Sequence, residues 1–152
     1  MELLKSQRSV TVPASDMLGD QIGEEKGKIT GQRVLDVGGG MPKMETSFSA
    51  NGKFKGVEVI DTGTYWSTPR PGAAIYGEGQ GVLMSKDGQE MAIWTGQGIG
   101  RFTSPGKIRF AGSLFFSTAS TGKLAFFNNL VGVFEYEADE LGNTSSKVWE
   151  WK

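Results

Sequence analysis

Residues 77–100, GEGQGVLMSKDGQEMAIWTGQGIG, hold the side chains with most chemical promise. If Asp87-Gly88 is a two-residue hairpin turn, Gly77 faces Gly98, Glu78 faces Gln97, Gln80 faces Thr95 and Gly81 faces Trp94. A carboxylate at Glu78 inside a protein would be costly unless hydrogen-bonded, paired or wet. That setting is what a general acid or base needs, which makes Glu78 the candidate catalytic residue. The competing reading is a solvent-exposed or structurally paired Glu78, and a one-residue bulge would turn it outward. The two glycine-x-glycine-x-glycine runs raise a second chemistry, phosphate binding. A phosphate cradle must follow a strand and open a helix, and neither run does so.

The chain has neither His nor Cys. Zinc sites built from those residues, Ser-His-Asp and Cys-His nucleophiles, and His- or Cys-ligated haem are excluded. No acidic calcium loop is present, so no metal or cofactor is expected. Lys+Arg number 16 against 17 Asp+Glu, giving a formal net charge of -1. No overall field draws nucleic acid or an anionic membrane. Lys26, Lys28, Lys53, Lys55 and Arg70 form no basic cluster interleaved with exposed aromatics, so no nucleic-acid partner is expected. No long apolar run predicts membrane insertion, and MELLKSQRSV lacks the apolar core of a signal peptide; a cytoplasmic protein is expected.

The elements that must position these residues read as strands. Glycine is 23 of 152 residues without a collagen period, and segments rich in Val, Ile, Thr and aromatics alternate between turn signals. The expectation is one all-β domain over 1–152, a single antiparallel barrel, mostly up-and-down, of seven to nine strands, about eight. Residues 1–23 are set apart as an N-terminal segment, partly irregular, and at most a short helical turn falls near 123–130. Asn51-Gly52 and Asp87-Gly88 predict hairpin turns, with further reversals at SPGK (104–107) and ELGNTSSK (140–147). STPRPG (67–72) predicts a Pro-stiffened loop outside any central strand.

Alternation then assigns faces. Tyr76, Glu78, Gln80, Val82 and Met84, with Met91, Ile93, Thr95, Gln97 and Ile99, form an apolar surface with a polar centre, taken as the barrel interior. An even loop at Pro105-Gly106 carries this face into Ile108, Phe110, Gly112, Leu114 and Phe116. The glycine face points outward, where it provides curvature or a subunit contact through Trp94, Phe115, Gly96 and Gly98. Met44, Thr46 and Phe48 share a core face with Val57 and Val59, with Lys55 at the tip. Phe134, Tyr136 and Ala138 share one with Trp149 and Trp151.

The succession GEGQGVLMSKDGQEMAIWTGQGIG, GKIRFAGSLFFST, LAFFNNLVGVFEYEAD and KVWEWK resembles small β-barrel proteins of the allene-oxide-cyclase-like or calycin-like type, over roughly residues 24–152. The resemblance implies about eight strands, a cavity for a fatty or other apolar molecule, and frequent oligomers. No catalytic residue of the plant cyclases matches a position here.

The functional expectation is binding of a small, mainly apolar ligand inside the barrel. Glu78, Gln80, Thr95 and Gln97 would fix its polar end, Tyr76, Ile93, Ile99, Phe110 and Leu114 would wall it, and Tyr65, Trp66 and Arg70 would stand at the mouth. The alternatives are an isomerase or cyclase working through a buried carboxylate, and a structural or interaction barrel acting through its outer face. A homo-oligomer is expected.

Overall fold

The computed structural model describes residues 18–152, which form eight antiparallel strands closed into one barrel, each paired with its sequence neighbours and the last with the first. The strands are β1 (Leu18–Asp36), β2 (Lys43–Phe54), β3 (Val57–Arg70), β4 (Ala74–Ser85), β5 (Met91–Ser104), β6 (Lys107–Ser117), β7 (Val131–Ala138) and β8 (Asn143–Trp151). This is the up-and-down all-β barrel that the alternation predicts. The helical turn is a 3-10 turn at Ala125–Phe127, and another lies at Gly38–Gly40. Residues 18–23, set apart as N-terminal segment, already belong to β1; residues 1–17 lie outside the described residues.

Several turn assignments change, and residues 143–147 of the reversal expected at 140–147 belong to β8. The first hairpin reverses at Lys55-Gly56, both with positive φ as a two-residue primed turn requires, while Asn51 and Gly52 continue β2. The pairing shifts by an even number of residues, so Met44, Thr46 and Phe48 still share a face with Val57 and Val59. Pro69 lies within β3 and faces Ile75, but beyond the last β2 partner, where its missing N–H leaves no ladder position empty. Asp87-Gly88 lies in the β4–β5 hairpin, whose loop between Ser85 and Met91 is longer than the expected two-residue turn, but the register is unchanged and Glu78 faces Gln97.

The larger correction concerns which face is inside. Phe102 pairs with Ile108 and Ser104 with Lys107, leaving Thr103 as a one-residue bulge. That extra residue places Ile99 opposite Ala111 and Gly100 opposite Phe110. Phe110 and Phe116 are buried as expected, but the β4 and β5 residues beside them are the glycines with Leu83, Ala92 and Trp94. Tyr76, Glu78, Gln80, Thr95, Gln97 and Ile99 therefore stand on the outside. At β7–β8, Ala138 pairs with Thr144 across a reversal with Gly142 at φ 80°, which places Phe134 opposite Val148 and sends Trp149 and Trp151 outward.

An eight-stranded barrel is just wide enough to be filled by its side chains. Large rings fit here because neighbouring strands supply no Cβ. A Cβ on Gly77 would come 2.8 Å from the Phe110 ring, one on Gly96 2.6 Å from Leu114, and one on Gly63 2.7 Å from both Phe48 and Trp94. These strand glycines thus serve interior packing.

One end of the barrel is plugged. Leu124 and Phe127, fully buried, pack on Phe54 and Phe116, with the Phe127 ring centroid 5.3 and 4.9 Å from theirs. The plug is latched by Glu90, whose carboxylate accepts the backbone N–H groups of Lys123 and Leu124 at 2.9 and 3.1 Å. Asp87 adds an ion pair to Lys123 Nζ at 3.1 Å.

Candidate functional site

The barrel's middle and far end are built differently. Glu25 on β1 and Asp61 on β3 both point inward and are buried. Gly52 on β2 faces both Glu25 and Val59, and its missing Cβ leaves the space that the Glu25 side chain crosses. The sequence Asn51-Gly52 thus carries a packing glycine. Gly63 and Gly81 clear a second path, across which the Trp94 indole reaches from β5 to donate its Nε1–H to Asp61 Oδ1 at 2.8 Å.

Glu25 and Asp61 also hydrogen-bond to each other. Burial, followed by the charge of Asp61, raises the Glu25 carboxyl well above its ordinary range. Burial raises Asp61 too, against the opposing pull of its hydrogen bonds from Glu25 and Trp94. The indole N–H that Asp61 accepts favours its charged form over that of Glu25. The two acids titrate as a pair.

Beyond this pair Tyr65 and Tyr136 join hydroxyl to hydroxyl at 3.2 Å. Their rings, with Phe110, pack edge-on or tilted at centroid distances of 5.5–6.3 Å. Burial raises both tyrosine hydroxyls, so both stay neutral. These three rings separate two spaces. Below them lies a cavity of about 80 Å³ bordered by Glu25, Asp61, Trp94, Leu114, Phe134 and Tyr136. Above them the barrel opens into a mouth of about 820 Å³ lined by Ile29, Met41, Arg70, Phe102, Ile108 and Leu141, among others. Tyr65 and Phe110 border both.

Of the residues singled out from sequence, Tyr65, Phe110 and Leu114 are interior, and Tyr65 and Arg70 line the mouth. Trp66 lies on the outer face between Glu45 and Glu78. Glu78 is exposed and accepts the Tyr76 hydroxyl at 3.3 Å; Gln97 accepts the same hydroxyl at 2.7 Å. Arg70 caps the Tyr76 ring from 4.5 Å. Gln80, Thr95 and Ile99 are exposed on the same outer sheet. Among the expected oligomer residues, Trp94, Gly96 and Gly98 face inward and Phe115 alone is outside, 52% exposed. The acid pair escaped the sequence reading, although the alternation that puts Val57 and Val59 inside carries Asp61 with them. Glu25 has a fainter signature, inward-facing glycines at Gly23 and Gly27 on either side.

No protein-family model and no curated protein matches this chain. Solved structures do. A conserved protein of unknown function from Rhodopseudomonas palustris aligns with a TM-score of 0.69 at 15% identity, over 92% of this chain and 99% of that one. A protein of unknown function from Clostridium acetobutylicum aligns at 0.71 and 13% identity, over 88% and 97%. A β-barrel-like protein from Acinetobacter baumannii aligns at 0.71 and 11% identity, over 89% and 95%. At these identities the likeness is one of fold, and it spans nearly the whole barrel of each.

Proposed function

We propose that the protein binds a small, mainly apolar ligand inside the barrel, admitted through the mouth. The observation that carries this reading is the inner cavity, which lies behind a floor of three rings and shares Tyr65 and Phe110 with the open end. Binding sites are typically apolar concavities with a few placed polar groups, and here those groups are Glu25, Asp61 and the two tyrosine hydroxyls. The resemblance to allene-oxide-cyclase-like and calycin-like barrels agrees with this use of the interior.

The test is an NMR titration with small branched alcohols, following indole N–H signals. Trp94 borders the cavity, whereas Trp66, Trp149 and Trp151 lie on the outer face and act as internal controls. Saturable shifts confined to Trp94, assigned through Trp94→Phe, are expected. Shifts only at the outer tryptophans, or none, would contradict the proposal.

A second reading, acid-base isomerisation of an apolar substrate, is favoured by the Glu25–Asp61 pair. An acid pair holding one proton between its members would provide a donor and an acceptor in a dry site. Glu25→Gln would then abolish turnover while leaving ligand shifts at Trp94 intact. Homo-oligomerisation belongs to this proposal through the outer sheet, where Met91, Ile93 and Phe115 are exposed. Sedimentation of Phe115→Asp against the unmodified protein tests it.

A further inference from the structure

Among the described residues the inner cavity is bordered by buried acids and by no basic side chain. Of its ionisable neighbours, β1 contributes Glu25, β3 contributes Asp61 and Tyr65, and β7 contributes Tyr136. Among the described residues no Lys or Arg borders it, and Glu78, which does, keeps its side chain exposed on the outside. The ion pairs found among the described residues all join side chains with substantial exposure. Two buried carboxyls, Glu25 and Asp61, thus stand side by side at the cavity, and Asp61 accepts the Trp94 indole N–H at 2.8 Å. Around it stand aromatic rings, with Phe48 stacked on Trp94 at 6.3 Å and 5.8 Å from Tyr136. Ring faces are negative, so they add to the attraction of the carboxylate for a cation and oppose a second anion.

We infer that the ligand of the inner cavity is a small alkylammonium ion, its positive centre beside Asp61 and its alkyl groups against Phe48, Trp94, Leu114 and Phe134. This rests on the reading that the interior takes a small ligand, and it names the class. The cation supplies the countercharge that the protein withholds, while its alkyl shell keeps the apolar walls dry. A neutral molecule of the same shape gains only the second benefit. The volume agrees: at about 10–15 Å³ of such space per water, 80 Å³ accommodates a molecule of about five heavy atoms. Access requires Tyr65 and Phe110, which border both spaces, to swing aside.

Tetramethylammonium and 2-methylpropan-2-ol each have five heavy atoms in a tetrahedral shell and differ in charge, so they form the probe pair. Each is titrated into the full-length protein with the Trp94 indole signal as readout. The cation is expected to bind at least tenfold more tightly than the alcohol, and Asp61→Asn to erase that preference. Should Asp61→Asn fail to fold, the ordering of the two probes on the unmodified protein decides alone. Equal or tighter binding of the alcohol overturns the inference but leaves the apolar-ligand reading standing. Absence of Trp94 shifts with both probes overturns both.

Discussion

The two ends of this barrel are made from the same strands and put to opposite uses. At the plugged end Phe54, Phe116, Leu124 and Phe127 fill the lumen, and Glu90 and Asp87 tie the covering segment down. In the middle and at the mouth two acids and two tyrosine hydroxyls are buried among the rings, and space remains. Filling one end supplies the apolar burial that offsets polar groups kept dry at the other. If the interior binds a ligand as proposed, stability and binding are separated along the barrel axis.

The contrast can be broken most strongly at the plug. Phe127→Ala, by removing a fully buried ring, should cost about 3–5 kcal/mol in urea unfolding, while the Trp94–Asp61 hydrogen bond survives in the protein that stays folded. Gly63→Ala should cost less, about 1–3 kcal/mol from overpacking, but should displace the Trp94 indole signal because the new methyl lies where Trp94 crosses β3. The exposed Gly31, with open space around its Cβ position, is the matched control, and Gly31→Ala should stay within about 0.5 kcal/mol.

The pH dependence of stability sharpens the same contrast. Glu25 and Asp61 are raised in the folded state, so above the ordinary carboxylate range the unfolded chain gives up protons that the folded pair retains. This pair therefore weakens stability as pH rises toward the folded-state titration. Glu25→Gln, which keeps a donor for Asp61, should flatten that decline and stabilise the protein at neutral pH, as unfolding curves across a pH series would show. Asp87 at the plug behaves oppositely. Hydrogen bonds from Ser85, from the Gln89 backbone and from Lys123 lower its carboxyl to about 2, so its small, exposed contribution is present above the ordinary value near ~4 and fades as pH falls toward about 2. Asp87→Asn should remove only that acid-side loss.

The strands and the β4–β5 register were legible because Asp87-Gly88 and the alternation act locally. Which face lay inside was not, for two physical reasons. Glycine carries no apolar signal, so the inward side of β4 and β5 reads as blank while Val82, Ile93 and Ile99 outside read as core. The deciding bulge at Thr103 has no marker among its neighbours. The acid pair was half legible. Asp61 shares its face with Val57 and Val59, whereas its partner Glu25 lies on a strand distant in sequence, and only closure of the barrel brings β1 around to it.

A crystal of the unmodified protein under xenon pressure tests most directly whether the interior is an accessible binding space above a filled plug. Xenon should appear inside the barrel near Trp94, Leu114 and Phe134, with none among Phe54, Phe116 and Phe127. A barrel that admits no xenon, or admits it only at the plug, would contradict the account.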